Sequence, residues 1–148
     1  MLLGSYFAKL DEKARLAVPK NFREELGKSL IVARWYEGCL VLVNTGLWQD
    51  MVARLTGGEL AILSVRDTDR FLLAGSFEVE LDSQGRFVVP LILRYYAKIT
   101  NEVVFAGLSN RVEIWNKRDW EEKEKELVER AGSLAQKVFE QKIKQTRK

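Results

Sequence analysis

The sequence predicts an α+β fold made of two tandem copies of one strand–loop–strand–helix unit, flanked by helices and followed by a C-terminal amphipathic helix. Three observations predict it. A run opening on Gly4-Ser5-Tyr6 returns 71 residues later from Gly75-Ser76-Phe77, and self-similarity at a fixed spacing marks a repeated structural unit. Within each copy, short β-rich runs alternate with turn and helix signals. The stretch 117–144 places apolar side chains at helical spacing.

The elements follow in order. Residues 5–10 and 76–81 are β-rich and run into Leu10-Asp11 and Leu81-Asp82, a turn signal. The next three positions form a tight loop, and the chain returns as a strand over 15–18 and 86–89. Pro19 and Pro90 end those strands and suit the first turn of a helix. The first helix covers 20–26 and stops at Gly27, a residue suited to ending a helix. Its counterpart covers about 91–97. A hairpin follows in each copy, 30–34 with 39–43 and 103–106 with 112–115. Asn44 and Asn116 stand where the next helices need caps. Similarity continues past the prolines: Arg23 matches Arg94, Asn44 matches Asn116 and Trp48 matches Trp120. Gly57-Gly58 ends the helix begun near Gly46. Residues 59–73 link the copies, with Arg66 and Arg70 on one helix face. In the last segment Trp120, Leu127, Ala131, Leu134 and Val138 build an apolar stripe, and Gly132-Ser133 is a point where the helix can bend. Residues 142–148 are basic and expected to fray. The expected organisation is therefore a first unit over 1–55, a linker helix over 56–73, and a second unit with the C-terminal helix over 74–148.

Composition narrows the function. Histidine is absent, which removes Ser-His-Asp and Cys-His catalysis and most zinc sites. No phosphate-binding or dinucleotide fingerprint is present. The carboxylate pairs Asp67/Asp69 and Glu78/Glu80 read as solvated or ion-paired groups. An enzyme is not expected, and neither a cofactor nor a metal. The lone Cys39 lies in an apolar run, reads as a buried thiol and cannot form an internal disulfide, which permits a reducing, cytoplasmic setting. No signal peptide is visible and no stretch is long enough to span a bilayer, so no membrane partner is expected. The net charge of +3 is a weak argument for nucleic acid. Residues 1–116 hold 14 Lys/Arg and 14 Asp/Glu, while 117–148 hold 10 and 7. A case for DNA must rest on where the charges sit.

They sit best at the two loops. In Asp11-Glu12-Lys13-Ala14-Arg15 an Asp opening a tight turn can accept backbone N–H groups two or three residues on, which fixes the loop. Arg15 begins the returning strand beside it. A planar, five-donor guanidinium on a rigid loop suits phosphate oxygens or the paired acceptors of guanine, and a two-stranded ribbon fits the major groove. Lys9, Lys13 and Lys20 crowd the same loop. In the second loop, Asp82 to Arg86, Ser83 and Gln84 replace Glu12 and Lys13, so the first loop is expected to carry more of the contact energy. The residues alone leave a local Asp–Arg ion pair equally open, and an exposed pair of that kind is worth about 0–1 kcal/mol.

The doubled pattern Leu-Asp-x-x-Gly-Arg-apolar-x-apolar-Pro, each copy following Gly-Ser-aromatic, resembles the bacterial MraZ family, relatives of the AbrB-like swapped-hairpin DNA-binding proteins. The resemblance covers nearly the whole chain. It implies a pseudo-two-fold swapped-hairpin β-barrel from two AbrB-like units in one chain, and assembly of copies into a homo-oligomeric ring. It implies a cytoplasmic, nucleoid-associated transcription regulator that binds double-stranded DNA at short direct repeats in the promoter of the division and cell-wall gene cluster. It assigns DNA contact to Asp11 with Arg15 and to Asp82 with Arg86, beside Lys13. One departure stands out: the motif glycine is Ala14 in the first copy, whereas Gly85 keeps it in the second. Two other readings remain in play, a structural or interaction ring without a DNA role and an antitoxin-like AbrB module.

Overall fold

The computed structural model describes residues 1–147. The two copies unfold along the chain in the same order. The first holds β1 (Leu2–Lys9), β2 (Arg15–Ala17), α1 (Lys20–Leu26), β3 (Ser29–Arg34), β4 (Leu40–Asn44) and α2 (Thr45–Leu55), with a 3-10 turn at Tyr36–Gly38 inside the hairpin. The linker forms α3 (Leu63–Leu72). The second copy repeats the series as β5 (Ser76–Glu80), β6 (Arg86–Val88), α4 (Leu91–Tyr96), β7 (Glu102–Ser109), β8 (Val112–Asn116) and α5 (Lys117–Thr146).

The mixed α+β class is as expected, and the sheets are antiparallel. Six strands run in the order β1-β7-β8-β4-β3-β5, and β2 pairs with β6 in a separate two-stranded ribbon. The copies interleave: β1 of the first lies on β7 of the second, Tyr6 opposite Phe105, and β5 of the second lies on β3 of the first, Phe77 opposite Val32. β4 joins β8 at the centre. The larger sheet is open, because its edges β1 and β5 are not joined by a ladder among the described residues. Hydrogen bonding therefore does not close the expected barrel.

The core explains why the copies need each other. One cluster takes Leu16, Val18, Phe22, Leu30, Val32, Leu40 and Leu42 from the first copy, and Phe87, Val89, Leu93, Val103, Phe105, Val112 and Ile114 from the second. Successive strand side chains point to opposite faces, so Ile31, Ala33, Val41 and Val43 face the other way and meet Trp48 of α2 in a second cluster. This is why β3 and β4 read as unbroken apolar runs. Each copy alone would leave half of the shared core exposed to water.

Local chemistry sets the element ends. Asn44 Oδ1 accepts the backbone N–H of Leu47 at 2.8 Å and caps α2. Gly27 ends α1 at φ 75°, left-handed space that glycine enters cheaply. Asn116 donates its side-chain amide to Ala97 O at 3.1 Å. Cys39 is buried, and the burial pushes its thiol pKa far up. Contacts divide the chain into one compact unit, Met1–Lys117, and a second from Arg118 onward. The second is the helix α5. It passes Gly132-Ser133 without a break, and Ser133 Oγ donates to Arg130 O at 3.1 Å. The expected fraying from residue 142 is not observed as far as Thr146, and Lys148 lies outside the described residues. No described helix is long and apolar enough to cross a membrane.

Candidate nucleic-acid interface

The two loops are built alike, atom for atom. Asp11 Oδ1 accepts the backbone N–H groups of Lys13 and Arg15, both at 2.9 Å, while Oδ2 takes Arg15 Nε at 2.7 Å. Two backbone bonds close the turn, Asp11 N to Arg15 O at 3.0 Å and Ala14 N to Asp11 O at 3.0 Å. In the second loop Asp82 Oδ1 accepts Gln84 N and Arg86 N, both at 2.9 Å, and Oδ2 takes Arg86 Nε at 3.0 Å. Asp82 N to Arg86 O and Gly85 N to Asp82 O close it, both at 2.9 Å. Backbone N–H donation, that from the arginine first, holds each carboxyl below its ordinary pKa of 3.8. Both aspartates are therefore charged at neutral pH and committed to holding the loop.

The ion pair left open by the sequence is present, and it orients the arginine without exhausting it. Only Nε faces the aspartate. Among the described residues no hydrogen bond reaches the terminal nitrogens of Arg15 or Arg86, and each side chain is about one quarter exposed, 25% and 27%. Both terminal nitrogens of each planar fork, with their four N–H donors, remain available to an acceptor pair.

The β2–β6 ribbon brings the loops together. Leu16 stands opposite Phe87, and both are buried. Alternation then turns Arg15, Ala17, Arg86 and Val88 to the outer face. Arg15 stands opposite Val88 and Arg86 opposite Ala17, so the arginines are diagonal neighbours, about 7–8 Å apart by ordinary ladder geometry. Lys13 is exposed at the first loop tip, with Lys9 and Lys20 exposed nearby in sequence. The structure thus groups Asp11, Lys13 and Arg15 on one loop, groups Asp82 and Arg86 on the other, and joins the two sets on one surface. Ala14 holds φ 58°, left-handed like its counterpart Gly85 at φ 77°, so the departure from the motif keeps the turn at a cost in strain.

Some features escaped the sequence reading. Nothing local says that β2 pairs with β6 across the copies. Arg23 and Arg94 match in the repeat, yet their role shows only in three dimensions: Arg23 Nε donates to Val18 O at 2.7 Å and Arg94 Nε to Val89 O at 3.0 Å. Arg66 and Arg70 are engaged locally, with Leu60 O at 2.7 Å and with Asp67 at 2.8 Å. Among the described residues no group of three or more His, Cys, Asp or Glu is placed to hold a metal.

Fold and site together define a duplicated α+β protein that presents two identically built Asp–Arg loops on one exposed ribbon. The family model described as "MraZ protein, putative antitoxin-like" matches the chain twice, over residues 1–71 and 72–140. The chain belongs to the MraZ family. Relatives named "Transcriptional regulator MraZ" agree with it: one from Thermoanaerobacter sp. (strain X514) is 42% identical over 82% of this chain and 85% of its own length. Those from Moorella thermoacetica and Cutibacterium acnes are 37% and 35% identical, over 95% and 94% of this chain and 98% of their own lengths. Its class is that of a transcriptional regulator.

Proposed function

We propose that the chain regulates transcription by binding double-stranded DNA sequence-specifically through the outer face of the β2–β6 ribbon. Arg15 and Arg86 are the contact groups, Lys13 adds charge at the first loop, and Asp11 and Asp82 fix the loop shape. The observation that carries this reading is the pair of pre-shaped loops whose arginines keep both terminal nitrogens free on a shared exposed face. Rigid presentation limits the ordering cost of binding, and a bidentate arginine contact to guanine discriminates by about 1–3 kcal/mol.

The domain reading goes with it: a first AbrB-like unit over 1–55, a linker over 56–73 and a second unit with the C-terminal helix over 74–148, forming a pseudo-two-fold swapped-hairpin barrel left open between β1 and β5. Cross-unit pairing of β1 with β7 and β5 with β3 supports the exchange. Several copies then form a ring on tandem direct repeats in the promoter of the division and cell-wall gene cluster, in the cytoplasm at the nucleoid. The exposed Val128, Val138 and Phe139 of α5 supply apolar surface for contacts between copies. No catalytic step is part of this function.

Fluorescence anisotropy tests it, using a duplex with tandem copies of a short repeat from the DNA upstream of the gene. Arg15→Ala/Arg86→Ala should lose binding at moderate salt, with a shallower salt dependence by about 0.9 per lost phosphate contact, and with assembly unchanged by sedimentation. Equal binding by both proteins would move the interface away from the ribbon. Assembly without binding by the wild type would leave a structural ring.

A further inference from the structure

Each loop is fastened by the other copy. Val18 N donates to Gly85 O at 2.9 Å, and Val89 N donates to Ala14 O at 2.8 Å. Arg23 and Arg94 hold the far side of those same two residues, through Val18 O and Val89 O. On the second loop the hold is closer still. Gly85 is buried, and a side-chain carbon there would fall inside the Arg23 guanidinium. Arg23, Glu24 and Lys28 of the first copy face Asp82, Ser83 and Gly85 of the second across a cleft of about 350 Å³. Ala14 provides the control. It takes the same left-handed conformation with a methyl in place, so the backbone conformation alone does not require glycine at position 85. A side chain there would instead have to push the Arg23 guanidinium aside.

We infer that Arg23 and Arg94 are positioning residues that act across the copies: Arg23 sets the second loop through Val18 and Gly85, and Arg94 sets the first through Val89 and Ala14. The inference rests on the DNA-binding reading above and deepens it, because shape at each loop then depends on the helix of the opposite copy.

A crossed pattern of selectivity tests this. Wild type, Arg15→Ala, Arg86→Ala, Arg23→Ala and Arg94→Ala would each be used to select duplexes from a randomised library. The first two variants assign base positions to the first and second loops. Arg23→Ala should relax, by about tenfold or more, the positions that Arg86→Ala relaxes, and Arg94→Ala those that Arg15→Ala relaxes; a good contact is worth about that much. Relaxation of the same-copy positions, or of all positions equally, would overturn the assignment. Amide hydrogen exchange on the free full-length protein separates the two claims. In Arg23→Ala, exchange should rise at Val18 and across 84–86 and stay unchanged at Lys13 and Arg15. No change over 84–86 would overturn the fastening whatever the DNA result. A wild type that selects no sequence, with the exchange pattern as expected, would sink the DNA reading and keep the fastening.

Discussion

Asp11 and Asp82 carry the site at the scale of single residues, because each accepts three N–H groups with one carboxylate. Both pKa values are depressed in the folded chain, which fixes the sign of the pH response. Folding is favoured by charged aspartates above the unfolded value, and that contribution is lost as pH falls through the lower folded value. Loop structure followed by amide chemical shifts should therefore hold from pH 8 to pH 5, and should fail only below about pH 4. A transition near neutrality would contradict the assignment. Ala14 yields a second prediction. Relief of its left-handed strain in Ala14→Gly should stabilise the protein by about 1 kcal/mol, raising Tm by roughly 2–4 °C. A lower Tm would show that the position is unstrained. The Asp turn was legible in the sequence because its donors lie within four residues of it. The role of Arg23 was not, because Gly85 lies in the other copy and no local pattern names it.

Elements set the presentation. The β2–β6 ribbon has three pairs, and its middle pair, Leu16 with Phe87, anchors it to the core. Phe87→Ala should cost about 3–5 kcal/mol in denaturant unfolding, as for other fully buried aromatics. A loss near zero would mean that the ribbon sits on the surface without an anchor. Strands, helices and most of their ends could be read in advance, since β-rich runs, Pro19, Gly27 and Asn44 act locally. Strand partners could not be read, because pairing such as Arg15 with Val88 joins residues far apart in sequence and depends on the shared core. The uninterrupted course of α5 also differs from the bend allowed at Gly132-Ser133. Helix hydrogen bonding tolerates one exposed glycine at about 1 kcal/mol. An added methyl at Gly132 meets nothing within 4 Å. Gly132→Ala should accordingly strengthen α5 by about that amount and raise helicity by circular dichroism, whereas unchanged helicity would place the limit elsewhere.

For the whole molecule the difficulty is charge. Residues 1–116 are balanced, so a single chain has little general attraction for a polyanion. In the proposed ring, two arginines on one ribbon would recur from copy to copy and answer this by linkage: joined sites can raise affinity by about 10²–10⁴ without a new contact, if the spacing fits. Tandem repeats should therefore bind far more tightly than one, with the mass of the assembly unchanged. All of these effects require the proposed DNA site on the outer face of β2–β6. Photo-crosslinking tests it most directly, with a photoreactive side chain introduced at position 83 on the second loop, at position 12 on the first, or at position 128 on α5. DNA on the ribbon should give crosslinks to the tandem duplex from 12 and 83 and none from 128; crosslinks from 128 alone would put the DNA on the C-terminal helix instead.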